Sequence, residues 1–352
     1  MPEGHTIHRL ALDHRERFGG RPVRASSSQG KFSDGASLVD GRPLDAAEAH
    51  GKHLFLGFGA PGWIHVHLGL FGKAGFGTAP VPAPTGTVRL RLVGDAAYMD
   101  LRGPTTCALV TDPEKQAIHD RLGPDPLRPD TDPDRAWARI SRSRTSIAAL
   151  LMDQKVVAGV GNVYRAEVLF RHGLDPYRPG CDVARAQWDA IWADLVSLMR
   201  EGVRLNRIDT VRPEHTPNVM GRPPRVDDHG GEVYVYRRTA MPCHICGTPI
   251  RTADLAARNL FWCPGCQPPA HDPGGDREWI SGRRHAASNP GRRWGSPAEG
   301  RGRRPRGGGT SPAEGGGGAS PAEGGGGRRR PATTQETQAQ GSGARSPSLP
   351  KS

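Results

Sequence analysis

The sequence predicts an α+β multidomain chain: an N-terminal helix and β-sandwich, then a helical domain, then a metal-clipped β-hairpin and a disordered tail. Three observations carry that reading. Between residues 53 and 111, short alternating or β-branched runs are separated by Gly/Pro turns, the pattern of a sandwich. From residue 143 to 202 the apolar period becomes helical. Four cysteines then fall as C-x2-C-x16-C-x2-C, at Cys243, Cys246, Cys263 and Cys266. Two such knuckles supply four thiolates at the corners of a tetrahedron, which is how structural Zn²⁺ is held. The alternative is a pair of disulfides or four unrelated thiols.

The elements follow in order. Over residues 3–18, Ile7, Leu10, Ala11 and Phe18 share one face, as in an amphipathic helix. Strands are expected at His53–Phe58, Trp63–Leu68, Thr87–Val93, Ala97–Leu101 and Cys107–Thr111. His65 and His67 alternate with Ile64, Val66 and Leu68, so they read as one strand face before they read as a metal site. Gly123–Pro133 looks like a linker. Thr145 or Ser143 is a candidate cap for a helix running through Leu150 to about Lys155. Gly159-Val160-Gly161-Asn162 is a tight turn that opens a second helix, Val163 to His172, closed by Gly173. Gln187–Gly202 is a third amphipathic segment, with Trp188, Ile191, Trp192, Leu195 and Leu198 inward. The expected domains are 1–128, the sandwich; 129–238, the helical domain; 239–268, the zinc-finger hairpin; and 269–352, a disordered basic low-complexity tail. In that tail Ser-Pro-Ala-Glu-Gly recurs at 296, 311 and 320 between Gly runs and Arg clusters. Such a segment buries too little apolar surface to offset its chain entropy.

Composition narrows the function class. The 352 residues carry a formal net charge of +12, with a pI near 10.0. That balance points to a polyanion, nucleic acid before membrane. The tail holds 14 Lys/Arg against 7 Asp/Glu, which leaves 34 against 29 for residues 1–268. A binding face on the folded part must therefore come from local clustering. Lysine is rare, six residues against 42 arginines, so each lysine is informative. Cys107 and Cys181 make no disulfide framework, and a reducing cytosol fits. No apolar run reaches membrane length, and the N-terminus has no signal-peptide core.

Chemistry enters at the two ends. The chain starts Met1-Pro2-Glu3-Gly4. Removal of Met1 before Pro would leave Pro2 with a free secondary amine, in good part neutral and nucleophilic near pH 8. Attack of that amine on a sugar C1′ gives an iminium that is cationic without a proton. The electron sink acidifies the C2′ hydrogens and opens β-elimination. Glu3 adjoins the amine as a candidate acid or base. At the Gly159–Asn162 turn, backbone amides and Asn162 could receive a phosphate; the alternative is helix packing through small residues. Arg258 lies inside the metal loop, five residues before Cys263.

Together these segments resemble the formamidopyrimidine-DNA glycosylase/endonuclease VIII family of DNA repair enzymes. The matching segments are Pro2-Glu3-Gly4, Gly51-Lys52-His53, His67-Leu68-Gly69-Leu70-Phe71-Gly72 and Asp100-Leu101-Arg102-Gly103-Pro104. They continue with Leu151-Met152-Asp153-Gln154-Lys155, Val157–Tyr164, and Arg258 with Cys263-Pro264-Gly265-Cys266-Gln267. They stand in the family's order over residues 2–267, about three quarters of the chain.

The resemblance implies a bifunctional base-excision DNA glycosylase/AP lyase on damaged double-stranded DNA, with one structural Zn²⁺ and a helix–two-turn–helix domain. It implies Pro2 as Schiff-base nucleophile and Glu3 as the acid that helps open the sugar. Lys52 would contact phosphate and assist β-elimination. Asn162 would bind backbone phosphate, and Arg258 would grip the flanking phosphate and assist δ-elimination. Leu70 and Phe71 would fill the gap left by a flipped nucleotide, since the anomeric carbon is closed off inside a stacked duplex. Arg102 and Lys155 are further candidate DNA contacts. The bland alternatives are a solvated edge charge for Lys52, core packing for Leu70 and Phe71, and a structural role for Arg102. A monomer in the bacterial cytoplasm, at the nucleoid and off the membrane, is expected.

Two departures matter. Many relatives carry Pro-Glu where this chain has His5-Thr6, and Thr6 cannot act as a second carboxylate. Pro104–Cys107 lacks the Arg-Phe pair of the purine-specific branch. With Pro-Glu-Gly at the start, the resemblance leans toward endonuclease VIII and oxidised pyrimidines. The rivals are a purine-lesion glycosylase and a non-catalytic binder of damaged DNA, for which an intact Pro2 and Glu3 would serve no purpose.

Overall fold

The computed structural model describes residues 2–226 and 231–269; the tail expectation lies, from residue 270 on, outside the described residues. Helix α1, Gly4–Phe18, forms where the sequence places it and buries Ile7, Leu10, Ala11 and Phe18. Its N-cap is Glu3, whose side chain does not cap it. That carboxylate is committed elsewhere.

Nine strands follow, with one short helix among them: β1 Pro22–Ser26, α2 Ser33–Val39, β2 Arg42–Pro43, β3 Ala46–His50, β4 His53–Gly57, β5 Trp63–His67, β6 Lys73–Thr78, β7 Leu90–Val93, β8 Ala97–Arg102 and β9 Thr106–Val110. They make two sheets, ordered β2-β1-β7-β8-β6 and β3-β4-β5-β9, with every pairing antiparallel. Leu54 pairs Val66, Leu56 pairs Ile64, and in the other sheet Leu92 pairs Met99. All six side chains enter one buried cluster shared by both sheets and α1. Each such burial contributes roughly 1.5–3 kcal/mol. Cutting Leu56, fully buried, to Ala would cost about 2–5 kcal/mol.

The period-2 rule puts Phe55 and His65 on the opposite face. Helix α3, Asp112–Arg121, covers them, and Phe55 clusters with Ile118 and Leu122. Thr111 and Glu114 close a capping box at its start. The strand expected from Thr87 begins instead at Leu90. β1, β3 and β6 were not among the expected strands; β6 is Gly-containing and half-exposed, and β1 and β3 are interrupted by Arg, Glu and Ala.

The helical part holds α4 Pro133–Ile140, α5 Ile147–Leu150, α6 Asn162–Arg171 and α7 Arg185–Leu205. The helix expected to reach Lys155 stops at Leu150 and starts after Ser146, so neither Thr145 nor Ser143 is its cap. Beyond its end, Asp153 Oδ1 accepts the Lys155 amide and turns the chain. Residues 123–133 are no free linker. Gly123 to Pro126 are buried, and the Asp125 carboxylate accepts from His8 at 2.8 Å and from the Gly51 amide at 2.7 Å.

Strands β10, Arg251–Leu255, and β11, Arg258–Trp262, form the hairpin. Ile250, Leu260 and Phe261 join the same buried cluster as Trp188 and Tyr164. The finger is thus packed onto the helices. No helix of the described residues is long and apolar enough to cross a membrane.

Candidate active site

Three backbones meet at the N-terminus. The Gly4 amide donates to Gly159 O at 2.8 Å. A Cβ on Gly4 would lie 2.9 Å from Gly159 Cα, and one on Gly51 would lie 3.1 Å from Gly159 N. Gly159 has φ +89° and Gly51 φ +57°. Glycine is therefore required here for close approach as well as for backbone angle. The junction brings Pro2-Glu3, the Lys52 turn and the start of α6 together.

Glu3 is fully buried. Gly161 N–H donates to its Oε2 at 2.9 Å and Val163 N–H to its Oε1 at 2.8 Å, with Tyr164 N–H at 3.4 Å. The amides that open α6, which the sequence offers as a phosphate cradle, hold the protein's own carboxylate. A Cβ on Gly161 would lie 2.4 Å from Glu3 Cδ, so only glycine admits it. Burial raises the Glu3 pKa above its usual value, against the pull of Lys52 and the three amides. Lys52 Nζ donates to Val160 O at 2.8 Å. Burial lowers the Lys52 pKa, and Glu3 opposes that. An acid with a raised pKa and a lysine with a lowered one thus stand together beside Pro2, which is half-buried.

The finger closes the other side. The Sγ atoms of Cys243, Cys246, Cys263 and Cys266 all lie within 4.8 Å of one another. Cys243 and Cys266 are 3.8 Å apart and Cys246 and Cys263 3.4 Å. Zn–S bonds of ~2.3 Å in a tetrahedron give edges of about 3.8 Å, so the four thiols fit one structural Zn²⁺. Arg258 opens β11, half-buried, and among the described residues no carboxylate lies within ion-pair distance of it. Its charge adds to the effect of burial in lowering the Lys52 pKa. Asn162 Nδ2 donates to Asn259 O at 2.9 Å, tying α6 to the residue after Arg258. Arg165, fully buried, donates to that same carbonyl at 3.2 Å and also to Asn162 Oδ1. Burial lowers the Arg165 pKa to about 10, still cationic at neutral pH. Lys52, Arg165 and Arg258 around one buried carboxylate make an anion-seeking site.

Leu70, Phe71, Arg102 and Lys155 lie outside this hydrogen-bonded cluster. Leu70 is 48% and Phe71 83% exposed, at the tip between β5 and β6. A Cβ on Gly69 would fall 1.9 Å from Thr105 Oγ1, so the tip packs against the β8–β9 turn. The core alternative for these two side chains is excluded. Arg102 adjoins that tip but is ion-paired to Asp100 at 2.9 Å, and Arg91 holds the same carboxylate. Lys155 is exposed. The sequence reading missed Asp125, hidden in a Pro/Asp-rich stretch, and Arg165. The signal for Arg165 was its place three residues after Asn162 on one helix face.

A β-sandwich joined to a zinc-clipped helical domain around a buried N-terminal acid defines a class, the DNA glycosylases of base-excision repair. Known proteins agree. Residues 1–107 match the formamidopyrimidine-DNA glycosylase N-terminal domain, 122–212 the H2TH domain of the same glycosylase, and 242–269 the zinc finger found in FPG and IleRS. Endonuclease 8 1 of Mycobacterium tuberculosis (strain CDC 1551 / Oshkosh) is 53% identical over 271 residues, 76% of this chain and 100% of that protein. Probable endonuclease 8 2 of Streptomyces coelicolor is 31% identical over 285 residues, 78% and 97%. The solved complex of Lactococcus lactis Fpg with abasic-site DNA superposes with a TM-score of 0.61 at 18% identity, over 76% of this chain and 99% of that one. That likeness carries the fold. The chain belongs to the formamidopyrimidine-DNA glycosylase/endonuclease VIII family, on the endonuclease VIII side. It is a bifunctional base-excision DNA glycosylase/AP lyase with one structural zinc.

Proposed function

We propose that the enzyme excises oxidised pyrimidines from double-stranded DNA through a Schiff base on Pro2. The observation that carries the chemistry is Glu3, sealed against the α6 amides beside Pro2 and Lys52. Once Met1 is removed, the Pro2 nitrogen attacks C1′ of the flipped nucleotide and the base departs. Glu3, whose pKa burial raises toward the protonated form, gives a proton to the sugar ring oxygen. The ring opens and leaves an iminium. Loss of a C2′ proton then expels the 3′ phosphate. Lys52 and Arg258 hold the flanking phosphates, and Arg102 and Lys155 stand as outer contacts; Asn162, buried with its amide given to Asn259 O and Arg165, serves the phosphate site by anchoring the finger instead of by direct contact. Leu70 and Phe71 fill the vacated stack; their exposure on a short tip supports that role.

The catalytic sandwich is assigned to residues 1–128, the helix–two-turn–helix domain to 129–238 and the finger to 239–268. Action in the bacterial cytoplasm accords with the bacterial relatives and the free thiols of Cys107 and Cys181; action as a monomer, at the nucleoid and off the membrane, is part of the same proposal.

The preference for pyrimidines rests on the β8–β9 turn. Residues 103–105 alone separate the two strands, and no Arg-Phe pair is present to support an orphaned partner base. The likeness to Endonuclease 8 1 points the same way. Duplexes carrying one thymine glycol, 5-hydroxycytosine, 8-oxoguanine or formamidopyrimidine test it under single turnover. The expected ratio favours the pyrimidine lesions by about tenfold or more. The reverse order would make the enzyme a purine-lesion glycosylase.

A further inference from the structure

The reaction as proposed leaves Arg165 without a task. Its side chain is fully buried, so it cannot itself touch a DNA phosphate. No carboxylate lies within ion-pair distance of it among the described residues, and two of its nitrogens, Nε and Nη1, are buried without a partner. A buried, incompletely satisfied guanidinium is costly to the fold. Simple packing of α6 on β11 would be better served by Leu or Met.

Its two contacts show what the charge does. Nη2 donates to Asn259 O, the carbonyl directly after Arg258, and to Asn162 Oδ1. Asn162 donates through Nδ2 to the same carbonyl at 2.9 Å. Donation to Oδ1 also decides which end of the Asn162 amide faces the carbonyl, leaving the amide nitrogen as its donor. One main-chain oxygen at the root of β11 is thus gripped twice from α6, and the residue beside it is the finger's arginine.

We infer that Arg165 is a positioning residue: it locks the Asn259 carbonyl and the Asn162 amide so that Arg258 meets a DNA phosphate from a fixed backbone. The inference rests on the reading of Arg258 as a phosphate ligand. It adds that a side chain with no access to DNA sets how many phosphates the protein neutralises.

The test is the salt dependence of binding. A duplex with a tetrahydrofuran abasic analogue is titrated with full-length enzyme and with Arg258→Ala, Arg165→Gln, Arg165→Lys and the double variant Arg165→Gln/Arg258→Ala. One lost phosphate contact lowers the slope of log K against log[salt] by about 0.9. Arg258→Ala is expected to lose that increment, with binding weaker by about tenfold at low salt. Arg165→Gln is expected to lose the same increment, and the double variant no more than either single one. Arg165→Lys keeps the charge and a donor, and is expected to recover part of the slope.

A structural defect alone would lower the melting temperature without removing a counterion from the slope. Zinc content and melting temperature report folding for each variant. If Arg165→Gln does not fold, Arg165→Lys decides: a slope between wild type and Arg258→Ala supports the inference, and an unchanged slope overturns it. An unchanged slope in folded Arg165→Gln, or a double variant that loses two increments, overturns it while the reading of Arg258 stands. A neutral Arg258→Ala overturns both.

Discussion

Glu3 shows how one residue's surroundings decide its chemistry. Beside a free amine, a carboxylate reads in sequence only as a candidate acid or base. The fold buries it, and burial raises its pKa while the α6 amides fix its direction. A protonated acid is needed to open the sugar and has no task when the aldehyde is already exposed. Glu3→Gln should therefore lose base excision by about 10²–10⁴-fold and still cleave preformed abasic sites. Equal loss on both substrates would mean that Glu3 only places the chain. Excision should also fall as pH rises through the Glu3 pKa, because the donor form disappears. What the sequence concealed is that the helix amides are spent on Glu3 instead of phosphate. That contact joins residues 158 and 160 positions apart, beyond any local pattern.

At the scale of elements, α1 and the β4–β5 pair bury neutral histidines. His14 packs on Phe18 and Phe76 and is fully buried, with its pKa lowered to about 4 by burial. His53 and His65 sit 2.8 Å apart, lowered to about 3 and about 4 first by burial and then by nearby histidines and Arg121. A histidine with a lowered folded pKa costs no stability above its unfolded value near 6.5. As pH falls below that, the unfolded chain binds the proton first and stability drops until the folded pKa is reached. The protein should thus lose stability between about pH 6.5 and pH 4. His14→Phe should lower the slope of that loss by about 1.4 kcal/mol per pH unit, one proton's worth, in denaturant titrations across the range. An unchanged slope would remove His14 from the account. His65 lies within β5 as the alternating pattern predicts, stacked on Phe55 and hydrogen-bonded to His53.

The finger is the element most legible in sequence, because cysteine spacing states its own geometry. Arg258 stands on it, so stripping the metal should weaken DNA binding without unfolding the sandwich, which has a separate core. Elemental analysis should give one zinc per chain, and Cys263→Ser should lower both zinc content and affinity. Full affinity in metal-free protein would contradict this.

In the whole molecule, α1 packs on the sandwich at β3 and on the helical domain at α7, so the N-terminus, with Pro2 and Glu3, lies where the two parts join. The order of parts was readable because strong periodicity and cysteine spacing survive without tertiary context. Elements set by context were not: β1 and β3 are weakly patterned, and Asp125 stabilises a buried turn that composition marks as a linker. Pro2 and Glu3 were readable by position, whereas Arg165 emerges only when the Asn259 carbonyl is placed beside α6.

All of this converges on the nitrogen of Pro2. Borohydride reduction during turnover on an abasic-site duplex should trap a covalent protein–DNA adduct that survives denaturing electrophoresis, with the added mass on the N-terminal peptide at Pro2. An N-terminal tag, which turns that amine into an amide, should abolish trapping. Mass on the Lys52 or Lys155 peptide, or undiminished trapping by the tagged protein, would contradict the account.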